Sequence, residues 1–211
     1  MSKLPEVSKL DLAALLCSKV CHDIISPVGA IINGLEVLDE DGGEEMREFA
    51  MELIQKSANS ASAKLKFSRL AFGASGSASA VIDTGDAEEV VRGYIAGEKA
   101  DVEWIGNRVL LPKNKVKLLL NLVLVALGAV PRGGLIKIEL HGGENDMTFS
   151  LRCSGTNARV PSGFLDCLNG TTEGEPDAHA IQPYYTVLLA QETGLELGAT
   201  VDGEMVVLSA G

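Results

Sequence analysis

Apolar residues recur at helical spacing through the first third of the chain, and this pattern predicts a helix from about Lys9 to Leu38. At about 100° per residue, Leu16, Val20, Ile24, Val28, Ile31, Leu35 and Leu38 share one broad apolar sector. Lys19, His22, Ser26, Gly29, Asn33 and Glu36 gather on the other side, flanked by Leu15 and Ile25. Ser8 followed by Asp11 resembles a capping box at the start. Asp39-Glu40-Asp41-Gly42-Gly43 ends the run. A second helix is predicted from about Glu44 to Phe72, with Met46, Phe49, Leu53, Ile54, Ala58, Ala61, Leu65, Phe67 and Leu70 as packing candidates. Its middle, Ser57 to Ala63, carries little bulk and permits close approach of another helix. Two helices of this length cannot bury both apolar faces alone, so a second copy is expected to complete a four-helix bundle.

The run of small residues from Gly73 to Ala80 is expected to be a flexible joint between a helical hairpin, residues 1–75, and a second domain, residues 76–211. There the periodicity changes. A helix capped by Asp83 or Thr84 runs to about Ala96, and Val102 to Ile105 forms a short strand. Pro112 suits the first turn of a buried helix ending near Val130. Strands follow at Leu135–Leu140 and Met147–Arg152, joined through Gly142 to Asn145. A short helix at Pro161–Leu168, a longer one at Ile181–Glu192 and a hairpin turning at Asp202-Gly203 close the chain. The fold class is therefore α+β: a helical hairpin, then an α/β sandwich with a largely antiparallel sheet.

A formal charge of −11 and a pI near 4.7 argue against nucleic acid as a partner. Cys17, Cys21, Cys153 and Cys167 show no CxxC spacing and read as reduced small hydrophobes. The N-terminus lacks the apolar core of a signal peptide, and no apolar run reaches transmembrane length. A cytoplasmic protein with no membrane partner is expected.

His22 carries the candidate chemistry. It falls on the polar side of the first helix, next to Asp23 and five residues before Pro27. A neutral imidazole can attack an electrophilic phosphorus, and Asp23 can accept a hydrogen bond from one ring nitrogen while the other stays available. Ser26 and Gly29 are small enough for a partner to dock flat below it. Pro27 has no N–H, so the helix can bend there. The plain alternative is a solvated surface histidine. His141 and His179 read as loop-proximal and helix-initiating, Trp104 and Phe149 as core, Tyr184 and Tyr185 as packing residues.

His22-Asp23-Ile24-Ile25-Ser26-Pro27 resembles the H-box of sensor histidine kinases, H-[E/D]-x-x-x-P, in the first helix of a hairpin. The hairpin and the domain after it are similar to a dimerisation and phosphotransfer domain followed by a kinase-type, Bergerat-like ATP-binding domain. Lys117 to Ala126 resembles a degenerate N-box helix around Asn121. The departures matter. Val125 stands where a second asparagine would ligate Mg²⁺, and Cys153 to Asn157 replaces the D-x-G-x-G adenine box. Glu175 to Pro183 replaces the glycine-rich phosphate cradle. ATP binding is not expected, and no cofactor or metal is assigned to this chain.

A kinase frame that keeps the histidine and loses the nucleotide site is similar to the ChpT-type histidine phosphotransferases of alphaproteobacterial cell-cycle phosphorelays. Leu16 to Pro27 and Phe67 to Gly73 support the match. The resemblance implies a homodimer that takes a phosphoryl group from the receiver aspartate of a hybrid kinase. His22 then passes it to receiver domains of response regulators, and Mg²⁺ belongs to the receiver. Asp23 would orient the ring or shuttle a proton. Ser26, Gly29 and Asn33 are candidate docking residues. Lys19 either meets an acidic receiver rim or is plain surface, and Arg69, with Lys66, either lies beside the docking face or serves solubility. An ATP-dependent histidine kinase and a non-catalytic dimeric scaffold are the competing functions.

Overall fold

The computed structural model describes residues 4–40, 43–73, 80–144, 146–172, 174–178 and 180–211. The joint expected at 73–80 lies mostly outside these residues, as does His179. Two long helices come first: α1 spans Lys9–Asp39 and α2 spans Gly43–Ala71. Ser8 caps α1, its hydroxyl accepting the Asp11 N–H at 3.1 Å, which satisfies one of the unpaired donors of the first turn. The helix is continuous through Pro27.

The hairpin closes on a narrow seam. Only Pro27 and Gly34 are fully buried in α1, against a line in α2 that includes Ala50, Ser57 and Ala61. A Cβ on Gly34 would stand 2.6 Å from Cγ1 of Ile54 and 3.3 Å from the Ala50 carbonyl, so only glycine admits this spacing. The sequence pattern assigned α1 a single apolar sector; the structure divides it. Ile25, Val28, Ile32 and Leu35 are 41–68% exposed, and so are Met46, Phe49 and Leu65 of α2, which had been packing candidates. The reason is geometric: each helix packs mainly on the other and on the sheet domain along part of its surface, and the rest of its apolar arc stays uncovered. The small middle of α2 does permit close approach, and on two sides: Ser57 and Ala61 lie in the α1 seam, while Ala63 and Ser60 face Gly93 of α3 and Gly97 just after it.

By length and composition α1 is long and apolar enough to cross a membrane, with mean hydropathy 1.5 over 18 residues. This corrects the expectation that no run reaches that length. Ser26, Gly29, Asn33 and Gly34 interrupt the apolar run without adding charge, so contiguity understates its hydropathy.

The second part contains β1 Val81–Asp83, α3 Thr84–Ile95, β2 Ala100–Ile105, β3 Leu110–Pro112 and α4 Lys113–Ala129. It continues with β4 Gly134–His141, β5 Thr148–Ser154, α5 Ser162–Asn169, α6 Ile181–Thr193, β6 Leu197–Asp202 and β7 Met205–Ala210. The five-stranded sheet has the order β2-β4-β5-β7-β6, with β2 and β4 parallel and every other pair antiparallel. β1 and β3 form a separate antiparallel ribbon that had no counterpart in the sequence reading. Three-residue strands are too short to show an alternation.

Alternation does mark the inner face of the sheet, where Ile136, Ile138, Phe149, Leu151, Cys153, Val206 and Leu208 are buried. Against it lies α4, apolar around nearly its whole circumference from Val116 to Ala126 because sheet, helices and hairpin surround it. The polar exceptions on α4 are structural. Asn121, fully buried, donates to the carbonyls of Lys117 at 2.9 Å and Ala71 at 3.3 Å. The second bond ties α4 to the end of α2. Phe67 and Tyr94 stack with centroids 4.5 Å apart, and the Tyr184 hydroxyl donates to the Pro5 carbonyl at 2.8 Å. These contacts fasten the sheet domain to the open end of the hairpin, where α1 begins and α2 ends.

Candidate functional site

His22 sits near the middle of α1 with its side chain 72% exposed. Helical offsets of four, seven and eleven residues place Ser26, Gly29 and Asn33 on the same outward line. Ser26 and Asn33 are exposed, and nothing lies within 4 Å of where a Gly29 side chain would begin. A flat, unobstructed strip therefore runs beside the imidazole for three turns. Arg69 lies exposed in the last turn of α2.

Asp23 faces the other way. Its side chain is 16% exposed, and its Oδ2 is paired with the Lys19 ammonium one turn earlier. Its Oδ1 stands 3.7 Å from Nδ1 of His22, outside hydrogen-bond distance though within reach of a small ring rotation. The hydrogen bond expected between these neighbours is thus not made in this state. Lys19 had been read as a rim contact for a partner or as plain surface; here it turns inward to Asp23.

Behind that pair lies a cleft of about 260 Å³ where the hairpin meets the sheet domain, lined by Lys19, Tyr94, Glu98, Leu124, Gly128 and Gln182 among others. Burial pushes the Tyr94 hydroxyl well above its ordinary pKa, and the carboxylates of Asp23 and Glu98 push it the same way. Lys64 of α2 reaches Glu98 at 3.5 Å and lies 5.8 Å from the centre of the Tyr94 ring. Tyr94, Glu98 and Gln182 were not singled out from the sequence. No motif marks them, because their importance comes from the docking of α3 and α6 beside α1.

Asn121, the residue that resembled an N-box asparagine, is engaged in internal hydrogen bonds. The Gln182 amide donates to the backbone carbonyl of Asn121 at 2.9 Å, to its Oδ1 at 3.4 Å and to the Thr186 hydroxyl at 3.0 Å. Val125, one turn beyond Asn121, is buried and apolar. Among the described residues no group of three or more His, Cys, Asp or Glu side chains is placed to hold a metal. Cys17 and Cys21 are exposed on α1 rather than packed, and His141 is exposed at the end of β4.

Taken together, a long helical hairpin with an exposed histidine, docked on a mixed-sheet α/β domain, defines the chain as an α+β protein. Comparisons with known proteins agree. Residues 84–205 match the family model described as the histidine phosphotransferase C-terminal domain. Protein phosphotransferase ChpT of Brucella abortus (strain 2308) is 53% identical over 211 residues, covering 100% of both chains. A solved bacterial phosphotransferase is 52% identical, with a TM-score of 0.93 over 99% of this chain and 100% of that one. The histidine kinase AdeS of Acinetobacter baumannii is more distant, at 10% identity and a TM-score of 0.45 over 90% of this chain and 95% of that one. The chain belongs to the histidine phosphotransferase family, a family of transferases.

Proposed function

We propose that this protein is a phosphorelay intermediate in which His22 receives a phosphoryl group from a receiver-domain aspartate and hands it to another. The observation that carries this reading is the exposed imidazole of His22 beside the half-buried Asp23 carboxylate, on a helix strip clear of neighbouring side chains. The outer nitrogen, Nε2, supplies the lone pair that forms the N–P bond. The P–O bond to the donor aspartate breaks, and its electrons leave with that carboxylate. Positive charge then develops on the ring, and Asp23 stabilises it through Nδ1. Return of the phosphoryl group to a second receiver aspartate is the reverse of the same step. Mg²⁺ in this scheme belongs to the receiver.

The protein works as a homodimer and takes no part in ATP chemistry. Ile25, Val28, Ile32 and Leu35 form an exposed stripe at alternating spacings of three and four residues, the pattern of a helix seam. With Phe49 and Met46 of α2 it is a face that a second hairpin would cover as a four-helix bundle. Against nucleotide binding stands the Asn121–Gln182 network, which engages the one N-box asparagine in internal bonds. Ser26, Gly29 and Asn33 form the docking strip, with Arg69 at its margin. Transfer between receivers fits a cytoplasmic role within a two-component, cell-cycle type of relay.

The donor is tested by supplying the purified protein with labelled ATP alone, then with a labelled phosphorylated receiver. Label is expected only from the receiver. Label from ATP would favour a kinase, and label from neither, with receiver binding intact, would favour a scaffold.

A further inference from the structure

The two carboxylate oxygens of Asp23 are engaged on different sides. Oδ2 meets the ammonium of Lys19, whereas Oδ1 faces Nδ1 of His22 at 3.7 Å. A carboxylate turns easily about its last torsion unless one oxygen is held. Lys19 can hold it because Lys19 is itself confined. It is 22% exposed, on the wall of the cleft that Tyr94 of α3, Glu98 just after α3 and Gln182 of α6 also line. Tyr94 and Glu98 are both tied to α2: Glu98 is paired with Lys64, and the Tyr94 ring packs at a tilt on Phe67. The cleft in which Lys19 meets Asp23, beside the imidazole, is thus walled by residues tied to α2.

We propose that Lys19 is a positioning residue for phosphoryl transfer at His22, acting through Asp23. This rests on His22 as the phosphoryl acceptor. With Oδ2 held, Oδ1 stays aimed at Nδ1 and favours the tautomer that carries its proton there. Nε2 is then the nitrogen with the lone pair, on a side chain that is 72% exposed. As the N–P bond forms and the donor P–O bond breaks, the Nδ1 proton is drawn towards Oδ1, and the gap closes by less than about 1 Å to reach hydrogen-bond distance. The sheet domain, with no nucleotide to present, keeps a role in the reaction by walling in Lys19. An i,i+4 pair that served only the helix would leave the imidazole tautomer and the transfer rate unchanged.

The test uses the full-length protein with Lys19→Met, Lys19→Arg and Asp23→Asn, each checked for unchanged helicity. Nitrogen–proton correlation spectra of the His22 ring give the tautomer without any assay of activity. Rapid-quench transfer from a phosphorylated receiver gives rate and receiver affinity separately. The wild type is expected to hold the Nδ1–H form. Lys19→Met should lose that bias and transfer about tenfold or more slowly at unchanged receiver affinity, as small misplacements do. Lys19→Arg should restore both. A Lys19→Met protein with wild-type tautomer and rate would overturn the proposal, and so would weakened receiver affinity at an unchanged rate, which would make Lys19 a docking residue. Continued labelling of a His22→Ala protein would instead sink the acceptor reading, whatever the tautomer shows.

Discussion

The Gln182 side chain donates to the backbone carbonyl of Asn121 at 2.9 Å, and through Asn121 the bond network reaches the Ala71 carbonyl at the end of α2. Three helices, α2, α4 and α6, are thereby joined by two buried amides. In a fully buried position each amide must find partners, because an unmade hydrogen bond costs more than a made one contributes.

Replacing Asn121 by alanine should therefore destabilise the fold by about 1–3 kcal/mol, since it strands the Ala71 carbonyl and part of the Gln182 amide. Urea unfolding of the variant and the wild type checks this. A change within about 0.5 kcal/mol, the size of an ordinary surface substitution, would mean that water or relaxation replaces the clamp.

Gly34 sets the spacing of the hairpin. A Gly34→Val protein must accommodate atoms where Cγ1 of Ile54 already stands 2.6 Å from a Cβ position. Overpacking of this kind costs about 1–3 kcal/mol. Thermal unfolding should show a lower midpoint, and a crystal structure should show α1 and α2 moved apart.

Ile32 lies in the exposed stripe of α1, 52% accessible in the single chain. An Ile32→Glu substitution should leave the chain folded and lower its mass in solution from dimer to monomer, measured by sedimentation equilibrium. A charged residue has little effect at an open surface and a large one inside an apolar seam. An unchanged dimer would place the interface elsewhere.

The thiols divide into two classes. Cys17 and Cys21 are exposed, and Cys153 and Cys167 are buried. Alkylation of the native protein at neutral pH should modify two thiols, and alkylation after unfolding should modify four, as read by mass spectrometry. Burial pushes the Cys153 thiol from 9.0 up to about 12. Because the folded value is raised, its stabilising contribution is complete below pH 9 and is lost as pH rises from there towards about 12. Tyr94, raised by burial from 10.0, adds to the same trend only above pH 10. Urea midpoints should fall between pH 9 and pH 11; a midpoint that rose would contradict the sign.

The architecture was legible where the signal is local. Ser8 and Asp83 announced two helix starts, alternation gave β4 and β5, and unbroken apolarity gave α4. The exposure of His22 was legible from its place on the polar side of the helical wheel. What stayed hidden depends on partners distant in sequence. A helical wheel cannot say which half of the α1 apolar arc meets α2 and which stays open, because Gly34 rather than a large side chain marks the seam. Lys19 looked outward on the wheel and turned inward because Tyr94 and Glu98 arrive beside it. The β1–β3 ribbon is three residues long in each strand and is defined only by its pairing.

The most direct test of the central claim is the site of phosphorylation after incubation with a labelled phosphorylated receiver, wild type against His22→Ala. The wild type is expected to carry an acid-labile, base-stable phosphoryl group on the peptide containing His22, and the variant none. Equal labelling of the variant, or no label on a wild-type protein that still binds the receiver, would contradict it.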